Sequence, residues 1–299
     1  MANLTEVKTS KFQSWILASR PKTLLAAVVP VVIGSALAFN IGKFSFTAAL
    51  VALMCSILIQ VATNFVNDLY DHLHGADTEE RVGPQRALAT GLISVSEMKS
   101  GIILTFASAF LLGLYLVYIG GWIILLVGVL SIIAGIAYTA GPYPLAYNGL
   151  GDYFVFIFFG VVGTVGTFYV QANQLHPLAF FASIPVGALI TNILVVNNYR
   201  DIEQDRAASK FTLAVKYGEA FARYQYTFLM AVSYLVPITS YFIFDQNIFI
   251  LLPLITIPLG IKLIKMIYTL KGTELNKTLE LTAKFSALFG FLFAIGIIV

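Results

Sequence analysis

Charge is what this chain has least of. Of its 299 residues, 11% are Asp, Glu, Lys or Arg and 59% are hydrophobic. Soluble domains carry about 25% charged residues, so water is not the main solvent of this chain. Cysteine is nearly absent. Cys55 stands alone inside an apolar run, which excludes an intrachain disulfide and leaves a small packing residue as its reading. Strand-like alternation of apolar and polar residues is missing, which argues against an outer-membrane barrel. No P-loop, H-E-x-x-H, G-x-S-x-G or C-x-x-C occurs, and Gly149-Leu150-Gly151 alone is no dinucleotide fingerprint. The N-terminal residues are polar, with no cleavable signal peptide evident. No nucleic-acid partner is expected.

Apolar runs are plentiful. Nine spans are expected, at about 22–40, 46–66, 99–119, 122–140, 153–171, 178–198, 225–244, 248–269 and 281–299. Inside lipid the backbone must satisfy its own hydrogen bonds, so the fold class is all-α, a polytopic membrane bundle. Residues 1–299 read as one integral-membrane domain. Phe12, Trp15 and Ile16, with Lys11 and Arg20 nearby, suggest an interfacial helix ahead of the first span. Of the 18 Lys and Arg residues, all but Lys43 fall on the N-terminal side of this arrangement. The positive-inside rule therefore places the N-terminus in the cytoplasm of a cell-membrane protein.

The remaining charges are concentrated. Asn67-Asp68-Leu69-Tyr70-Asp71, followed by Asp77, ends the second span, and Asn197-Asn198-Tyr199-Arg200-Asp201, followed by Asp205, ends the sixth. The repeat suggests two four-helix halves plus one helix, in parallel because an offset of four spans preserves orientation. Asn67 and Asp71 are four apart and share a helix face. Asn197, Asp201 and Asp205 repeat that spacing, forming an oxygen stripe about 12 Å long if the helix continues. Carboxylate and amide oxygens suit Mg²⁺, which binds a few protein groups and completes its shell with water and phosphate oxygens. Arg81 and Arg86 follow the first motif; Arg200, Arg206 and Lys210 flank the second. Acids with a metal, plus cations aimed at free oxygens, make a diphosphate site. A lone D-x-x-x-D is usually a solvated loop; two copies starting from Asn on one side favour the metal. His72 and His74 are two apart without Cys partners and His176 lies in an outer loop, so zinc is not expected.

Four stretches carry a closer likeness: RPKTL (20–24), NDLYDHLHGAD (67–77) with RVGPQRAL (81–88), YTAGPYPLAYNGLGD (138–152) with FVFIFFG (154–160), and NNYRDIEQDRAASKFTLAVKYG (197–218). Together they resemble the UbiA-type intramembrane prenyltransferases along essentially the whole chain. Many members place a third Asp four residues beyond the second; here the next carboxylate is Asp77, six beyond Asp71, a spacing shared by the naphthoate-prenylating members. The resemblance implies transfer of a polyprenyl group from its diphosphate to 1,4-dihydroxy-2-naphthoate, releasing diphosphate and CO₂, in menaquinone biosynthesis. It implies Mg²⁺ held by Asn67, Asp71, Asp201 and Asp205, with Asp68 and Asp77 as second-rank ligands. It also implies diphosphate contacts from Arg86, Arg206 and Lys210, with Arg20, Lys22, Arg81, Arg200 and Asn197 around them. Asp71, Asp201, Asp205 and Lys210 are the expected catalytic groups, and Tyr138, Tyr143 and Tyr147 the expected lining. Rival readings are another aromatic acceptor (4-hydroxybenzoate or homogentisate), an ion-coupled transporter with intramembrane acids, and a quinone-binding protein without catalysis.

Overall fold

The computed structural model describes residues 10–75, 82–83 and 86–299. Asp77 and Arg81 lie outside the described residues. Every described element is helical or irregular. In chain order the helices are α1 (Lys11–Ser19), α2 (Pro21–Asn40), α3 (Phe46–Leu73), α4 (Val95–Gly120), α5 (Trp122–Ala137) and α6 (Gly151–Val155). A π-helical segment (Phe156–Val162) joins α6 to α7 (Gly163–Ala172), and α8 (Pro177–Arg200) and α9 (Ile202–Ala207) follow. After α10 (Leu213–Ile243), a 3₁₀ segment (Ile248–Thr256) leads into α11 (Ile257–Thr269) and then α12 (Leu275–Ile298).

Among the described residues, eight helical stretches are long and apolar enough to cross a membrane. α5 matches the expected fourth span but has 16 residues, short of the usual crossing length. The other expected spans coincide with helical stretches to within a residue at their far ends, and most of these helices extend beyond them. α3 continues through Leu73, so Asn67 and Asp71 stay on regular helix beyond the apolar run. α10 starts at Leu213 and bends at Gly218, whose φ of 85° is the left-handed region that glycine tolerates.

α1 is fixed by its ends. Ser10 and Gln13 form a reciprocal capping box. Trp15 packs edge-on against Phe65 of α3, with ring centroids 5.2 Å apart. Phe12 and Ile16 remain exposed, as an interfacial helix requires. Arg20, at φ 51°, turns the chain from α1 into α2, whose Pro21 suits the first helical position.

The bundle core is built from α2, α7, α8, α10 and α12, with Phe168, Phe285, Phe289 and Phe293 almost wholly buried. The π segment lies flush on α8. A Cβ at Gly160 would come 2.8 Å from Gly187 Cα and 2.9 Å from the Ser183 carbonyl oxygen, so only glycine permits that approach. This contact lets the extra π residue re-aim Phe158 and Phe159 into the central cavity.

Candidate active site

A cavity of about 1070 Å³ runs from the tips of α3 and α8 into the bundle. Its polar end contains Arg20, Asn67, Asp71, Arg86, Asn197, Arg200 and Lys210. Its deeper walls are apolar, with Phe110, Phe154, Phe158 and Phe159 among them. Both motifs reach this space, the first through Asn67 and Asp71 and the second through Asn197 and Arg200, while Asp201 and Asp205 sit behind Arg200 and Lys210 and are not part of the wall.

Asp71 is buried and doubly held. Its Oδ2 accepts from Arg86 NH2 at 3.0 Å, and its Oδ1 accepts from the Tyr147 hydroxyl at 2.9 Å. One turn earlier, Asn67 Oδ1 accepts from Thr139 Oγ1 at 2.8 Å. Asp68 is buried and is not part of the cavity wall.

The second motif departs from the expected straight stripe. α8 stops at Arg200, and Asp201 takes a non-helical conformation (φ −99°, ψ 12°) that places Asp205 on the separate helix α9. The stop frees Arg200 to fold onto its neighbour. Its Nε and NH2 donate to Asp201 Oδ1 and Oδ2, both at 2.7 Å, while NH2 also reaches Asn197 Oδ1 at 2.9 Å. NH1 donates to Asn276 Oδ1 of α12 at 2.7 Å. Arg200 was expected to bind diphosphate; here its fork organises Asp201, Asn197 and Asn276.

Lys210 closes the second motif. Its backbone N–H donates to the Asp205 carbonyl oxygen at 2.8 Å, and its Nζ lies 3.3 Å from Asp205 Oδ1. Burial opposes its charge, yet Asp71, Asp205 and Asp201 together hold its ammonium above the ordinary lysine range. The ammonium also lies 5.7 Å over the Tyr147 ring, whose hydroxyl donates to Asp71, so the two tips converge here. Burial pushes Asp205 up to about 6, with Lys210 opposing and Asp201 and Asp71 adding to the rise. Tyr147 ties the two halves: besides its bond to Asp71, its carbonyl accepts from the Phe211 N–H at 2.9 Å.

Hard oxygen donors at this place suit a divalent cation. The Oδ2 of Asp205 is buried without a hydrogen-bond partner among the described residues, and such an orphan costs stability unless a cation or donor meets it. Among the described residues, no three His, Cys, Asp or Glu side chains form a self-sufficient metal cluster. Arg86 and Lys210 supply charge within the same space.

Other expected residues fall elsewhere. Arg206 is exposed and pairs with Glu203 at 3.1 Å, away from the cavity wall. Tyr143 is 60% exposed and also outside the wall. Lys22 lies at the cavity mouth, paired with Glu280 at 2.8 Å. Sequence reasoning missed three contributors. Thr139 lies in a stretch read only for its tyrosines, and Asn276 carries no motif. Asp152 did carry a signal: an isolated acid opening an apolar span is costly without a purpose.

Residues 27–292 match the UbiA prenyltransferase family. The 1,4-dihydroxy-2-naphthoate octaprenyltransferase of Escherichia coli (strain K12) is 37% identical over 304 residues, covering 98% of both chains. The apo structure of a UbiA homolog from Aeropyrum pernix K1 superposes with a TM-score of 0.69 at 13% identity, over 93% of this chain and 98% of that one. A UbiA homolog from Archaeoglobus fulgidus, solved bound to DMAPP and Mg²⁺, gives a TM-score of 0.63 at 19% identity, over 95% and 99% of the respective chains. A multi-pass membrane bundle with paired acidic helix tips, matched by that family over most of its length, belongs to the UbiA prenyltransferases.

Proposed function

We propose that this protein transfers a polyprenyl group from its diphosphate to 1,4-dihydroxy-2-naphthoate, releasing diphosphate and CO₂ and yielding demethylmenaquinol. The meeting of the two tips at Lys210, whose Nζ lies 3.3 Å from Asp205 and over the ring of Tyr147, itself hydrogen-bonded to Asp71, is the observation that carries the reading. The naphthoate acceptor is supported by the full-length likeness to relatives of that name.

Asn67, Asp71, Asp201 and Asp205 would hold Mg²⁺, with Asp68 and Asp77 in the second rank. The A. fulgidus homolog bound to DMAPP and Mg²⁺ supports that choice. When bound, the ion supplies Lewis-acid stabilisation to the departing diphosphate. Arg86 and Lys210 face the same charge and neutralise what develops as the allylic carbon–oxygen bond breaks. Arg20 and Lys22 attract the anionic substrates at the mouth. The apolar wall with Phe110, Phe154 and Phe158 accepts the tail and excludes water that would capture the allylic cation. Each methylene kept in an apolar setting contributes about 0.8 kcal/mol.

The whole chain acts as one domain, with nine helical segments arranged as two four-helix halves and one more. Its tips and N-terminus face the cytoplasm of the cell membrane, as the placement of Lys and Arg supports. The experiment incubates purified protein with Mg²⁺, a prenyl diphosphate and one acceptor at a time, and weighs the products. Prenylated naphthoquinol, with the carboxylate lost, is the expected product. Exclusive prenylation of 4-hydroxybenzoate or homogentisate would overturn the acceptor, and ion uptake into proteoliposomes without any prenylated product would overturn the enzyme.

A further inference from the structure

The acids of the two motifs have cationic partners: Asp71 has Arg86, Asp201 has Arg200 and Asp205 has Lys210. Among the described residues, Asp152 has none. It opens α6, is 5% exposed, and forms part of the cavity wall with Tyr138 and Phe154. Its one side-chain partner is Gln225 of α10, whose Nε2 donates to Oδ1 at 3.0 Å. A buried carboxyl with no cation is expensive, and in a cleft it marks a group that exchanges protons.

Its surroundings are otherwise uncharged. α8 presents Ile190 and Leu194 to the cavity, and its sole charged residue, Arg200, is spent on Asp201, Asn197 and Asn276. The π segment has no titratable side chain. In the loop before α6, Tyr147 donates to Asp71, and Lys216 of α10 donates to the Asn148 carbonyl oxygen at 2.7 Å. Tyr138 adjoins the start of α6, its hydroxyl 3.0 Å from where a Cβ on Gly151 would sit. Asp152 therefore lines the same cavity as Asp71 and Lys210, beside the aromatic wall.

Resting on the function proposed above, we propose that Asp152 is the base that takes the hydroxyl proton of the aromatic acceptor, with Gln225 positioning its carboxylate. The O–H bond breaks, the proton passes to Asp152, and the electron pair enters the ring. The adjacent ring carbon, which carries the carboxylate, bonds to the prenyl C1 while the C1–O bond breaks and its pair leaves with the diphosphate. Loss of CO₂ returns a pair to the ring oxygen, which takes the proton back from Asp152. The cycle needs no water and no other co-reactant.

The test compares wild type with Asp152→Asn on Mg²⁺, a prenyl diphosphate and 1,4-dihydroxy-2-naphthoate between pH 5 and 9. A general base contributes about 100-fold or more, so kcat should fall by at least that factor. The acidic limb of the wild-type pH profile should vanish, with the rate then rising with hydroxide. Binding of the prenyl diphosphate should stay within about threefold. An Asp152→Asn protein with wild-type kcat and an unchanged limb overturns the assignment, as does one that loses prenyl diphosphate binding in parallel with kcat. Should Asp152→Asn not fold, Gln225→Met decides: it removes the donor and should move the acidic limb to higher pH, and an unmoved limb overturns the proposal. Wild-type protein that prenylates no hydroxyarene would instead remove the underlying function, a result distinct from a failure at Asp152 alone.

Discussion

The Tyr147 hydroxyl donates to Asp71 Oδ1 at 2.9 Å, joining the loop after α5 to the tip of α3. Because the same residue's carbonyl receives the Phe211 N–H, Tyr147 sets the spacing between the two acidic tips. Tyr147→Phe removes one hydrogen bond to a charged acceptor, worth about 1.5–3 kcal/mol. Turnover should fall about tenfold or more, and the melting temperature should drop by a few degrees. Steady-state kinetics beside thermal unfolding in detergent measures both.

Two cations that look equivalent in sequence should behave differently. Lys210 is largely buried against Asp205, whereas Arg206 pairs with Glu203 at the surface. Removing one partner of a buried pair costs about 3–5 kcal/mol, while an exposed pair is worth about 0–1 kcal/mol. Lys210→Ala should lose about 100-fold or more in kcat/KM, and Arg206→Ala should stay within about fivefold. Parallel assays of the two variants check this.

Asp201→Asn should lower turnover about 100-fold or more, since about 3 kcal/mol of charge stabilisation is lost. Its fork partner Arg200 is buried, so the variant should also melt earlier. A folded Asp201→Asn protein with near-normal activity would defeat the role given to the second motif.

A stability prediction concerns packing alone. Gly160→Ala would force the π segment off α8, where a Cβ meets Gly187 Cα at 2.8 Å. Overpacking of this kind costs about 1–3 kcal/mol. The melting temperature should drop, and the cavity wall at Phe158 and Phe159 should shift with it.

The spacing of Asn67 and Asp71 was readable because α3 runs on past the apolar stretch with unbroken helical period. The same reasoning failed at Asp201. Periodicity carries no sign of a neighbour folding back, and Arg200 beside Asp201 stabilises the break that moves Asp205 onto α9. Three tyrosines share one loop, and loop spacing assigns no face; Tyr147 reaches Asp71 while Tyr143 points to the exterior. Asn276 was invisible because it comes from the far end of the chain, where only the fold brings α12 to Arg200. Conversely, the apolar runs announced themselves, since lipid demands long uninterrupted stretches. Their ends did not, because helix continues wherever capping and packing sustain it.

The central claim is that both acidic tips act on one diphosphate through a divalent cation. Its most direct test follows prenyl transfer by the purified protein after EDTA stripping, during stepwise addition of Mg²⁺. Turnover should vanish in chelator and return in full with Mg²⁺. Product formed at an undiminished rate in excess EDTA would contradict it.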